Sequence, residues 1–146
     1  MTHVLLLTLL LAPAQAGPAR SLQDAKPEKL VKALDHKSGY AREIAARNLS
    51  GVEPFLGGKT RLRACVEDRQ ELGYVRAACA FTLSRWGDED SVSRIVAAME
   101  EVKSESRYWM AEALHVLDTR DARSHLRSLT SDADLYLSTS AREWTR

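Results

Sequence analysis

At 146 residues the chain has room for one domain, and 21 basic against 20 acidic side chains leave a net charge of +1. That balance argues against a nucleic-acid binder, which needs a basic stripe to neutralise phosphates. Charges of both signs are interleaved along the chain, the pattern of a solvated mixed surface.

The first element in chain order is an apolar run from Val4 to Leu11, interrupted only by Thr8 and broken by Pro13. Ala14-Gln15-Ala16 follows, with small residues at its first and third positions. This reads as a secretory signal peptide over residues 1–16, cleaved after Ala16, although no lysine or arginine precedes the run. The run is far shorter than the roughly 20 apolar residues that span a bilayer, and no cysteine at the cleavage site invites lipid modification. The expected mature chain, 17–146, has no membrane span. The protein is expected to be exported: periplasmic if bacterial, otherwise secreted.

Beyond that segment Gly and Pro are few, and strand-like alternation of Val, Ile and Thr is missing. Apolar residues recur at helical steps instead: Leu30, Val31 and Leu34 share one face, as do Val92, Ile95 and Met99. Polar stretches at 50–59, 85–91 and 117–122 read as loops, two of them closing near an Asp or Ser able to cap the next helix. The fold class is all-α.

Within this helical stretch the phrase "GYAREIAARNL" (39–49) returns as "GYVRAACAFTL" (73–83). Spacing extends the series to four copies: Ala46 and Leu49, Ala80 and Leu83, Ala111 and Leu114, Ala141 and Trp144. An arginine stands four residues before the alanine in three of them, Arg42, Arg76 and Arg107; the fourth has Leu137. Ahead of each copy lies another apolar pair: Leu30/Leu34, Leu62/Val66, Ile95/Met99 and a weaker His125/Leu129 beside Leu126. A two-helix unit of this length cannot bury its apolar face alone, whereas stacked units share a core. The spacing therefore predicts an α-solenoid of about four helical hairpins over 27–50, 59–86, 90–117 and 121–145. In it the repeated Ala allows close helix approach, and the repeated Leu, or Trp144, fills the space between units.

The segments "KLVKALDHKSGYAREIAARNL" (29–49), "RLRACVEDRQELGYVRAACAFTLSRWGD" (61–88) and "SRIVAAMEEVKSESRYWMAEALHVLD" (93–118) resemble HEAT-type repeats of the short class found in phycobilisome (PBS) lyases. "SHLRSLTSDADLYLSTSAREW" (125–144) is a degenerate copy. The resemblance covers nearly all of residues 17–146. It implies a HEAT-like solenoid and leaves function open, because such repeats serve many roles. It also implies that each repeat arginine ties its own inter-helix turn to an acidic residue, Asp35 for Arg42 and Asp68 for Arg76. Finally, it implies that the second helices form an inner, concave face. Positions one, five and eight residues after the arginine are expected to point out of the core there. Of these, Glu43, Arg47, Phe81, Tyr108, Glu112 and Arg142 form the expected partner-binding patch, and the stripe also takes in Ser84 and Ser138.

Cys65 and Cys79, the only cysteines, fall about level on the two helices of the second hairpin. They are either a disulfide, as an exported protein permits, or two small buried thiols. His115, Asp118, Asp121 and His125 cross a predicted helix end rather than sharing one face, so no metal site is expected; Asp118 and Asp121 are expected to end one helix and cap the next. There is no Gly-x-Ser-x-Gly and no phosphate-cradling glycine loop. The expectation is a non-enzymatic protein without cofactor that binds another protein. The competing expectation, from the PBS-lyase resemblance, is a chromophore- or small-ligand-handling protein. Trp144 either packs on the third repeat or marks a docking edge through which copies associate.

Overall fold

The computed structural model describes residues 22–146; the predicted signal peptide lies outside the described residues. Among the described residues there are eight α-helices, two short 3-10 turns and no strand, so the chain is all-α. The helices are α1 (Pro27–Ala33), α2 (Gly39–Leu49), α3 (Leu56–Glu67), α4 (Gly73–Arg85), α5 (Val92–Met99), α6 (Ser104–Leu117), α7 (Arg120–Ser128) and α8 (Leu135–Trp144). Local chemistry explains several ends. Pro27 opens α1, where its missing N–H costs nothing. The Asp134 carboxylate accepts from the Tyr136 and Leu137 amides and caps α8. Asp118 ends α6 in the left-handed region at φ 54°, as expected of it, but Thr119 rather than Asp121 caps α7, accepting from the Ala122 amide. A hydroxyl directly before the first helical residue reaches that amide; Asp121 is already inside the helix.

Each odd-numbered helix packs on the even-numbered helix that follows it, which makes four hairpins. Odd helices also meet in the order α1, α3, α5, α7, and even helices meet as α2 with α4, α4 with α6, and α6 with α8. The recurring residues sit at these contacts. Ala46, Leu49, Ala80, Leu83, Ala111, Leu114 and Ala141 are all fully buried. Small side chains bring the even helices close enough for the buried Thr82 hydroxyl on α4 to donate to the Ala46 carbonyl on α2 at 2.7 Å. Between α3 and α4, Cys65 and Cys79 are joined as a disulfide with Cα atoms 6.4 Å apart.

The repeat arginines bind an acidic residue as expected, but not the one expected. Arg76 is buried, and its Nε donates to the Val66 carbonyl of its own turn at 2.8 Å. Its Nη2 donates to Glu101 of the next turn at 2.9 Å. Arg42 likewise donates to the His36 carbonyl and reaches across to Glu71 with two bonds of 2.7 Å. Arg107 pairs with Asp132, again one hairpin on. The expected partners are engaged elsewhere: Asp35 pairs with Arg61, and the Asp68 carboxylate accepts from the Gln70 amide. The physical reason is the fork of the guanidinium. In Arg42 and Arg76, one edge satisfies a turn carbonyl left without a helical partner, and the remaining donors face the neighbouring hairpin. Arg42 and Arg76 therefore tie their own turns to an acidic residue of the next hairpin rather than to the acidic residue of the same turn.

These pairs set the acid response. Burial alone would raise the pKa of Asp88, but the Arg63 hydrogen bonds, with the charges of Arg63 and Lys59, outweigh it and hold this carboxyl below its ordinary value. Asp132 is held low chiefly by its hydrogen bond from Arg107. A carboxyl depressed in the folded state takes up its proton first in the unfolded chain, so the stability it confers is present above the unfolded pKa and is lost as pH falls toward the native one. Urea titrations should therefore show stability falling as pH drops below about 4, the ordinary aspartate value. Asp132→Asn should make that fall shallower, and an unchanged slope would remove Asp132 from the account.

Candidate functional site

The first two to three turns of α2, α4 and α6 lie side by side and enclose an open groove of about 630 Å³. Each helix contributes residues at helical spacing along one face. From α2 come Tyr40, Glu43 and Arg47; from α4 come Tyr74, Ala77, Ala78 and Phe81. Glu105, Trp109 and Glu112 come from α6. Ala77 and Ala78 are nearly buried, so the middle helix is thinnest where the groove passes over it. Three large rings stay in solvent along it: Tyr40 is 55%, Tyr74 41% and Trp109 43% exposed.

The recurring Gly-Tyr pair now has a physical reading. A Cβ on Gly39 would come within 2.5 Å of the Tyr74 hydroxyl and of a Leu72 methyl, both from the next hairpin. A Cβ on Gly73 would come within 2.7 Å of the Ser106 hydroxyl, again one hairpin on. Each glycine thus admits a side chain of its neighbour, and each tyrosine stands in the groove.

Of the six residues expected to form the binding patch, Glu43, Arg47, Phe81 and Glu112 line this groove. Tyr108 and Arg142 do not. Tyr108 is half-buried in an aromatic cluster, with ring centroids 4.7 Å from Tyr136, 5.4 Å from Trp109 and 5.6 Å from Trp144. Arg142 donates from Nε to the Thr130 carbonyl at 3.0 Å. Ser84 and Ser138, also on the expected outward stripe, are buried. For Tyr108 the reason is the α8 contact: α8 packs on α6 through its ring, which turns that position inward. Trp144 lies on the third hairpin, its ring stacked on His115 at 5.2 Å.

Sequence reasoning missed Tyr40, Tyr74, Ala78, Glu105 and Trp109, which lie two residues before or two after the repeat arginine. The groove sits about one helical turn closer to the helix N-termini than the expected stripe. The doubled Gly-Tyr phrase carried the signal for the two tyrosines; nothing in the repeat spacing singled out Glu105 or Trp109.

The charges of the groove are unevenly compensated. Arg47 donates to Glu43 at 2.9 Å. Among the described residues Glu105 and Glu112 form no ion pair. Away from the groove, no cluster of three or more His, Cys, Asp or Glu side chains is placed to hold a metal ion among the described residues. Asp118 is taken by Arg123, with bonds of 2.6 and 2.8 Å, and the His125 imidazole has its pKa pushed down by burial. Among the described residues no helix is long and apolar enough to cross a membrane. No family model matches the chain, and no curated protein is significantly similar to it.

Proposed function

We propose that this chain is an exported, non-enzymatic binding protein, a short solenoid of four HEAT-like hairpins that holds a partner protein in the groove across α2, α4 and α6. The observation that carries the reading is the groove itself, where three exposed aromatic rings from three successive hairpins converge over a floor of alanines. Exposed aromatics clustered in a concavity are the usual energetic centre of a protein interface. The order of helix contacts, odd with odd and even with even, supports the solenoid, since each unit then buries its face on its neighbours. The Cys65–Cys79 bridge supports export, because such bonds persist in oxidising compartments.

Affinity capture from the protein's own cell envelope tests the reading. The bait is compared with a variant carrying Tyr74→Ala, Phe81→Ala and Trp109→Ala, after circular dichroism has shown the two equally helical. A partner kept by the first and lost by the second is the expected result. A partner held equally by both moves the site to another face, with the exposed Leu135 and Tyr136 of α8 the next surface to test. The chromophore-handling alternative would be recognised by visible absorbance in the purified protein.

A further inference from the structure

Trp109 stands on α6 between two carboxylates, Glu105 one turn before it and Glu112 one turn after, and all three line the groove. Several carboxylates elsewhere are paired with arginine, Glu71, Asp88, Glu101 and Asp132 among them, while others, such as Glu53, Glu89 and Glu143, form no ion pair among the described residues. What distinguishes Glu105 and Glu112 is that they line the groove beside the exposed ring of Trp109. The single guanidinium lining the groove, Arg47, is bound to Glu43, so the lining holds three carboxylates against one cation. This excess of negative charge sits on a chain whose net charge is +1, so it belongs to the groove and not to the surface at large.

Aromatic faces attract cations through the negative potential above the ring, and the attraction grows as the cation is desolvated in a concavity. A guanidinium suits such a place better than an ammonium. It is flat, it is weakly hydrated, and its edge donates in a fork that matches a carboxylate while its face lies on a ring. Resting on the binding reading above, we infer that the groove receives an arginine-bearing extended segment of the partner protein. The guanidinium lies against Trp109 and donates to Glu105 and Glu112, while neighbouring apolar side chains pack over Phe81 and the alanines. The same carboxylates repel phosphate-rich partners, so nucleic acid and anionic lipid are the wrong occupants.

The test is titration calorimetry of the purified protein with a blocked hexapeptide that alternates leucine and arginine. The control peptide carries citrulline for arginine, which keeps the flat hydrogen-bonding head and removes the charge. The arginine peptide should bind about tenfold more tightly than the citrulline peptide, an increment of one well-placed charged contact. The variant Glu105→Gln with Glu112→Gln keeps side-chain size and should lose about that factor for the arginine peptide alone. Equal binding of both peptides would overturn the arginine assignment and leave the groove as a protein-binding site. Binding of neither would overturn it as well, and envelope capture then decides the wider reading on its own. Sedimentation of the unliganded protein supplies the last check: a dimer that dissociates in the double glutamine variant would make the occupant a second copy of this chain and defeat the inference.

Discussion

Arg76→Met is expected to lower the unfolding free energy by about 2–3 kcal/mol. Arg76 is 3% exposed, and its guanidinium is the only one that is fully enclosed among the described repeat arginines. Methionine fills most of the stem but offers no donor, so the Val66 carbonyl is left inside the structure without its partner. Glu101 is less exposed to the change, because Arg69 also binds it at 2.7 Å and its side chain is 26% exposed. That remaining partner is why the figure lies below the cost of stranding a fully buried charge. Urea denaturation should show a lower midpoint with an unchanged slope. Arg42→Met is the comparison: its side chain is 17% exposed, water can replace part of what is lost, and its effect should be clearly smaller. Equal effects from the two would mean that burial of the guanidinium is not what matters at Arg76.

Breaking the bond between Cys65 and Cys79 is expected to cost a similar amount by a different route. The bridge closes a loop with a sequence separation of 14, and releasing it returns freedom to the unfolded chain worth about 3 kcal/mol on chain-entropy grounds. The folded state should change little, because α3 and α4 stay packed through Leu62, Val66, Val75 and Leu83, all fully buried. A reductant should therefore lower the urea midpoint of the native protein and leave Cys65→Ala with Cys79→Ala, already low, unmoved. Thiol titration under denaturing conditions without reductant should find no free thiol; two free thiols in freshly isolated protein would remove both this prediction and the support that the bridge lends to export.

The two results bear on function through the same structural fact. The groove is made by three helices from three different hairpins, so its shape depends on how those hairpins are held in register. The arginine ties do part of that work between neighbours, and Gly39 and Gly73 do another part by letting side chains of the next hairpin come close. The bridge acts within the middle hairpin, which carries Tyr74 and Phe81. A binding defect in Arg42→Met or Arg76→Met with helicity intact would follow from this arrangement without either arginine touching the partner.

What the amino-acid sequence determined by itself was everything that depends on periodicity. Helical spacing of apolar residues predicted the all-α class, and the recurring Ala and Leu positions identified residues that prove fully buried, Ala46 and Leu49 through Ala141, because a position that repeats at the length of a hairpin meets the same surroundings in every copy. The partner-binding patch came instead from what the HEAT-like resemblance implies, and four of its six residues, Glu43, Arg47, Phe81 and Glu112, line the groove. The tertiary structure decided what depends on neighbours. Whether Arg42 bonds Asp35 or Glu71 turns on where the next hairpin's turn lies, 29 residues away, and no local spacing encodes that distance. Whether Tyr108 or Trp109 faces solvent turns on α8, whose Tyr136 and Trp144 cover the first and leave the second free. A one-residue step rotates a side chain about 100° around a helix, so Tyr108 and Trp109 point to different faces of α6, and only the packing of α8 decides which of those faces is covered and which lines the groove.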